Sequence, residues 1–396
     1  MSLAILRDAR WMTRDRARAY LLAYAALCLP ILVEAGLRLL GWREPPPADT
    51  DFLSFHAAAR LALEGNPAGP WLRDVHAAMQ AAIQGREGGR YFAFFYPPVF
   101  LLICLPFGLL PVLPAYLAWM AATGAACLAA LRAWTAERGW APAIFVLLAP
   151  ASLLNILHGQ NAFLTTALLA AAGALLDRRP ALAGLAFATL AFKPQLGILV
   201  VPALLAGRRW TAIGAACAGG LAWGLAAWAA FGTEAWRAFL ARMPDAGEVL
   251  ASGALATWKV LSLYATARSL GAPEAVATLV QAAATIVTVA AVVIAVRRGT
   301  DGRATVALVA AGAPLVTPFV LVYDFVVLLV PTLWIATQAR HEGFRPWEKS
   351  ALLLTWLMPL LAFLGGLVTG VSPGPLPAAI LLVLVLRRLS PARATT

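Results

Sequence analysis

The chain has 396 residues, 61% of them apolar and only 13% charged, with a formal net charge of +12 at pH 7. Soluble domains carry about 25% charged residues, so a pair of ordinary soluble domains is excluded. The basic residues stand at the ends of apolar runs rather than in a stripe interleaved with aromatics, which argues against nucleic acid as a partner and for orientation in a lipid bilayer.

Apolar runs recur at Ala19–Gly41, Val112–Leu131, Thr211–Phe231, Ala275–Val296, Leu321–Ala336, Ala351–Val368 and Leu376–Leu386. A helix needs roughly 20 apolar residues to span, so the shorter runs read as tilted, broken or paired half-helices. Residues 1–396 therefore form one all-α polytopic integral membrane domain, with about 10–12 transmembrane or re-entrant helices.

In chain order, residues 1–18 are a basic cytoplasmic N-terminus (Arg7, Arg10, Arg14, Arg16, Arg18), and 19–41 are the first span. That run is too long for a signal-peptide core and lacks a clear cleavage site, so it is expected to be retained. Residues 42–96 form a charge-balanced external loop. Within it, Phe52, Phe55, Ala59 and Leu63 recur at helical steps, with His56, Arg60 and Glu64 on the other face, an amphipathic helix expected to lie along the outer membrane surface and to stop at Gly65. Tyr96-Pro97-Pro98 marks re-entry, and residues 97–231 hold core spans with re-entrant segments.

Two of those segments are broken. Ala141–Asp177 contains two short apolar runs divided by His158-Gly159-Gln160-Asn161, and its first part, Ala141–Leu157, reads as re-entrant or lying at the outer interface. Pro180–Gly207 lies between the basic pairs Arg178–Arg179 and Arg208–Arg209, both placed in the cytoplasm by the positive-inside rule. It must go up and come back, with its apex at Phe192-Lys193-Pro194-Gln195, where the proline breaks the helix. Residues 232–258 form a second external loop, and Trp258 and Lys259 read as an interfacial anchor. Spans near 273–296, 304–317, 319–338, 350–369 and 376–388 complete residues 259–390 and leave the C-terminus cytoplasmic. The four cysteines, Cys28, Cys104, Cys127 and Cys217, each lie inside an apolar run and read as buried hydrophobes.

Several polar residues stand out against this background. Asp51 sits at the start of the Phe52 helix, either as its N-cap or as a general base at the lipid–water boundary. Asp49-Thr50-Asp51 is formally an acid-x-acid pair for a divalent ion, but two carboxylates are too few oxygens for a strong signal, and no cofactor is expected to be required. Lys193 at the apex of an apolar hairpin either snorkels or meets a phosphate. His158-Gly159-Gln160-Asn161 suits a turn with Asn161 as helix cap, or a hydrogen-bonding site for a sugar. Asp324, next to Tyr323 in an apolar stretch, needs a partner, either a basic side chain or a substrate. No Walker-type loop, HExxH or CxxC pair is present, which argues against an ATP-driven pump and a zinc protease.

Taken in order, Asp51-Phe-Leu-Ser-Phe55 with Gly65, Tyr96-Pro97-Pro98, Gly159-Gln160-Asn161, Lys193-Pro194-Gln195 before Arg208-Arg209-Trp210, and Thr317-Pro318 leading to Tyr323-Asp324 resemble glycosyltransferase family 87 over about residues 15 to 390. These are polyprenol-phosphate-mannose-dependent mannosyltransferase-like proteins of the GT-C fold; Thr317-Pro318 stands where many members carry Ser-Pro. The resemblance implies inverting transfer of a hexose, mannose in the family's own usage, from a polyprenyl-phosphate donor to a glycan or glycolipid acceptor outside the cytoplasm of a plasma (inner) membrane. It implies Asp51 as catalytic base, with Lys193 and Tyr96 toward the donor's phosphate and lipid. His158, Gln160, Asn161, Gln195, Asp49, His56, Tyr323 and Asp324 would then bind sugar or acceptor. The competing readings are a transporter or flippase of lipid-linked sugars, and a polymer ligase or export subunit acting with partners.

Overall fold

The computed structural model describes residues 3–39, 42, 50–85, 90–135, 141–251 and 259–390. Regular structure among the described residues is helical, joined by short non-helical stretches, with one isolated antiparallel bridge between Val260 and Leu321. Among the described residues, six helical stretches are long and apolar enough to cross a membrane: Arg14–Arg38, Val112–Thr135, Trp210–Asp245, Glu274–Arg297, Val322–Glu342 and Glu348–Thr369. With the shorter apolar helices packed among them, this is an all-α polytopic membrane protein.

The helices fall into two kinds. Helices α2 (Arg14–Leu39), α6 (Val112–Thr135), α13 (Trp210–Ala251), α15 (Glu274–Arg297) and α18 (Glu348–Thr369) turn rows of leucine, isoleucine and valine outward, including Leu22, Leu27, Leu117, Leu221, Leu225, Leu279, Ile286, Leu364 and Val368. Helices satisfy their own backbone groups, so such apolar surfaces are at home in lipid. Cys217 is on this outward surface, contrary to the expectation that all four cysteines are buried; Cys28, Cys104 and Cys127 are. The second kind is interior. Helix α16 (Gly302–Gly312) is buried along its whole length apart from Arg303. It was expected to contribute a span near 304–317, but at ~1.5 Å per residue its 11 residues cover about 16 Å, half a bilayer core. It is apolar all round because protein surrounds it. The stretch from the 3-10 helix Val322–Leu328 into α17 (Leu329–Glu342) is also central, with every residue from Val322 to Ile335 buried.

The expected break in residues 180–207 is present. Helix α10 (Pro180–Thr189) gives way to a 3-10 turn, Leu190–Phe192, then Lys193 in a non-helical conformation, then the short α11 (Pro194–Gly197) and α12 (Val200–Ala206). Asp177, before α10, pairs with Arg209, after α12, at 2.7 Å, so the two ends of this segment meet. Asp177 also accepts the Gly302 amide, and Arg209 donates to the Thr300 carbonyl, which brings three of the basic loops to one end of the bundle. Residues 141–161 are likewise divided, into α7 (Ala141–Leu147) and α8 (Pro150–His158).

Two further expectations fail. The segment 42–96 does not rest as an amphipathic helix on a surface. Helix α3 (Phe52–Leu63) has nine of its twelve residues buried, His56 included at 3% exposure. It is covered by α4 (Arg73–Gln84), α5 (Pro98–Gly108) and the 3-10 turn Gly69–Trp71. Gly108 makes this possible: a Cβ there would lie 2.7 Å from that of Ala59. Only the end of α3 stays polar, with Arg60 donating to Glu64 at 2.7 Å. Second, most of residues 232–258 is not a loop. Helix continues to Ala251 past a break at Gly232, whose φ of 73° and ψ of 178° suit glycine. Ion pairs one turn apart, Arg237 with Glu234 and Arg242 with Asp245, favour that helix. Trp258 lies outside the described residues.

Candidate functional site

Asp51 immediately precedes α3, yet its side chain makes no capping hydrogen bond. Its carboxylate instead accepts from Gln160 Nε2 at 2.9 Å, across 109 residues. The contact depends on Gly159. Helix α8 ends there with φ +65°, and a Cβ on Gly159 would lie 2.5 Å from that of Phe52. Only glycine brings the α8 terminus this close to the start of α3, and the next residue is the one that reaches Asp51.

Gln160 is held at both ends of its amide. Its Oε1 accepts from the Tyr96 hydroxyl at 3.3 Å while Nε2 serves Asp51. Burial, and after it the Asp324 carboxylate, raise Tyr96 well above the ordinary tyrosine value, so its hydroxyl stays a donor. The Tyr323 hydroxyl lies close enough to Asp51 to interact with it. Asp51 is therefore half-buried, with one carboxylate oxygen fixed by an amide and tyrosines close by.

Behind this lies a buried ion pair. Lys193, 3% exposed, donates to Asp324, 1% exposed, and to Asn161 Oδ1 at 2.9 Å. The other Asp324 oxygen accepts the Leu321 amide at 3.0 Å, which caps the 3-10 helix Val322–Leu328. Lys193 Nζ also stands 5.8 Å from the Tyr323 ring centroid, and the His158 ring packs against the same tyrosine at 5.5 Å between centroids. The side chain of His158 is further tied to the Leu154 carbonyl at 2.9 Å. Asn161 does not cap α9 (Ala162–Leu175): Asn155 Oδ1 accepts the Ala162 amide at 3.0 Å in its place.

The structure thus brings Asp51, Tyr96, Gln160, Asn161, Lys193, Tyr323 and Asp324 together, with His158 at the margin. His56 is turned elsewhere, its Nε2 2.9 Å from the Leu110 carbonyl. Burial lowers its pKa, so its ring stays neutral in the packing of α3. Gln195 is half-buried and makes no hydrogen bond among the described residues, and Asp49 lies outside them.

Other residues contribute without a readable motif. Gln80 accepts the Phe92 amide at 3.0 Å and donates to the Phe92 carbonyl at 2.7 Å. Ser54 donates to the Ala93 carbonyl, His76 Nε2 sits 3.1 Å from the Ser54 carbonyl, and Trp71 Nε1 donates to the Tyr96 carbonyl at 3.0 Å. Helices α3 and α4 thereby hold the extended stretch that ends in Tyr96. Burial pushes the His76 imidazole down to about 4. Lys259 is set by the Val260–Leu321 bridge beside the Tyr323 segment. Burial and then Arg90 lower its pKa, while Asp51 opposes them, so both charges act on its ammonium.

The family model of glycosyltransferase family 87 matches residues 94–322, more than half of the chain, from just before Tyr96 to just before Tyr323. Comparison with curated proteins gave no match, and comparison with solved structures gave none.

Proposed function

Because the chain belongs to glycosyltransferase family 87 and is a membrane glycosyltransferase, we propose that it moves a hexose, mannose being the first candidate, from a polyprenyl-phosphate donor to a glycan or glycolipid acceptor on the extracytoplasmic side. Asp51 is the general base. It takes the proton of an acceptor hydroxyl, whose oxygen attacks the anomeric carbon from the face opposite the phosphate. The bond from that carbon to the phosphate oxygen breaks, and polyprenyl phosphate leaves with the electron pair, so the configuration inverts. Neither a metal nor another cofactor is needed to balance the step.

The observation that carries this reading is the state of Asp51. A half-buried carboxylate that caps no helix and is held by Gln160 supports a role as proton acceptor. The phosphate is assigned differently from the expectation at Lys193. We assign the leaving group to Lys259 and Arg90, whose charges act on each other, with Asp51 also acting on Lys259, rather than to Lys193, which is buried against Asp324. A carrier for lipid-linked sugars gains no observation in its favour. The clustering of basic loops at the Asp177 end supports placing that end in the cytoplasm and Asp51 outside, in the plasma membrane.

The test is transfer from a short-chain prenyl-phosphate mannose by purified protein in detergent micelles. Asp51→Asn is expected to lower kcat by about 10²–10⁴-fold while donor binding persists. Full turnover by that variant refutes Asp51 as the base.

A further inference from the structure

With the phosphate assigned to other cations, Lys193 is left without a part in the chemistry, yet it is buried, and burying a charge is costly. Stability alone does not account for it. An apolar pair of similar volume in place of a buried ion pair is often as stable or more so. What an apolar pair cannot do is set the direction of hydrogen bonds.

A chain of such bonds runs from the lysine to Asp51. The ammonium only donates, so Asn161 turns its Oδ1 toward it, at 2.9 Å. The NH2 end of Asn161 then faces the other way and interacts with the Tyr96 hydroxyl; this link is the loosest, outside ordinary hydrogen-bond geometry. With its oxygen approached by that NH2, Tyr96 turns its proton to Gln160 Oε1, at 3.3 Å. The Asn161 backbone amide donates to the same Oε1 at 3.4 Å. Both contacts hold the Gln160 oxygen inward, so its NH2 points to Asp51 Oδ2, at 2.9 Å. Every link therefore runs one way, from a group that only donates to a carboxylate that, when ionised, only accepts. Asn161 and Gln160 are buried with Lys193, which leaves water little access to turn a link round. Asp324 neutralises the ammonium, so the pair sets this direction without adding net charge behind Asp51.

We propose that Lys193 is a positioning residue for the transfer reaction: through Asn161, Tyr96 and Gln160 it fixes which way the hydrogen bonds run and so keeps an amide donor on the Asp51 carboxylate. This rests on Asp51 being the general base. It gives the buried ion pair a part in turnover rather than in donor binding, with Tyr96 as the connector.

The test compares two cuts in the chain. Tyr96→Phe removes one hydroxyl from its middle. Lys193→Met with Asp324→Asn removes the ion pair and leaves the local net charge at zero. Transfer from farnesyl-phosphoryl mannose to octyl mannoside gives kcat and KM, and binding of farnesyl phosphate reports on the phosphate alone. Each cut is expected to lower kcat about tenfold, the order expected for one hydrogen bond to a charged group, with donor KM and farnesyl phosphate affinity unchanged. Combined, they are expected to lose no more than either alone, because both interrupt the same chain. Parent kcat in the paired variant, losses that multiply, or weakened farnesyl phosphate binding each overturns the proposal. Should the paired variant fail to fold, Asn161→Leu cuts the chain while leaving the ion pair in place, and the same results support or overturn. Asp51→Asn is assayed in parallel. Full turnover there removes the base and this role of Lys193 with it, whereas loss of turnover shows that any failure above belongs to Lys193 alone.

Discussion

Asp324→Asn is the sharpest test of how the site is held together. Lys193 and Asp324 have side-chain exposures of 3% and 0%, and the ammonium's acceptors are one carboxylate oxygen and the Asn161 carbonyl. The substitution keeps the shape but leaves one oxygen for two donors, Lys193 and the Leu321 amide, so it removes a buried charge together with one hydrogen bond. Breaking a buried pair from one side costs about 3–5 kcal/mol, while replacing both partners with neutral groups is often close to neutral. Against a net stability of about 5–15 kcal/mol, the single variant should lose a large share and Lys193→Met with Asp324→Asn should regain most of it. Unfolding of the protein in detergent micelles, followed by tryptophan fluorescence, measures both. A single variant within about 1 kcal/mol of the parent, the range of exposed pairs, would refute the claim that this pair is desolvated.

Three other expectations follow from the site's surroundings. His76 is held near 4 in the fold against about 6.5 when unfolded, so between those values the unfolded chain binds more protons; stability from this group is complete above about pH 6.5 and falls by about 3 kcal/mol toward pH 4, a slope that His76→Asn should flatten in unfolding midpoints measured against pH. Lys259→Met should lower kcat/KM for a prenyl-phosphate sugar about tenfold and weaken the salt dependence of binding; an unmoved kcat/KM would remove Lys259 from the phosphate. Gly159→Ala puts a methyl 2.5 Å from the Phe52 Cβ at a φ of +65°, and should cost about 1–3 kcal/mol and most transfer activity, read as a lower unfolding midpoint and lower kcat; an alanine variant with unchanged kcat would show that Gln160 does not need this turn.

Hydropathy makes the membrane class legible, and Pro194 together with the flanking arginines makes the broken 180–207 segment legible, because helix breaking and charge bias are local properties. The environment of each helix is not local. An apolar run looks alike whether lipid or protein surrounds it, which is why α16 reads as a span and why α3 reads as half-exposed. The site divides along the same line. Asp51, Gln160, Asn161, Lys193 and Asp324 can be singled out as polar residues in apolar surroundings, but their pairings join positions far apart in the chain. Asp51 and Asn161 both stand where a cap belongs and neither side chain caps; nothing near Asn161 in sequence marks Asn155 as its substitute. The helix beyond Gly232 was accessible, since Glu234 and Arg237 already have helical spacing.

The ion pair at the base of the site also has a history within each molecule. Lys193 and Asp324 are 131 residues apart, and at about 5–20 residues per second a ribosome takes on the order of 10 s to travel between them. Throughout that interval the lysine has been made and its counter-charge has not. Half-helices as short as α10 and α12 are poor insertion signals by themselves, and the apex between them carries an unmatched cation. The hairpin's lysine meets its counter-charge only when the Val322–Leu328 turn has been made, so the two halves of the candidate site come together late in synthesis.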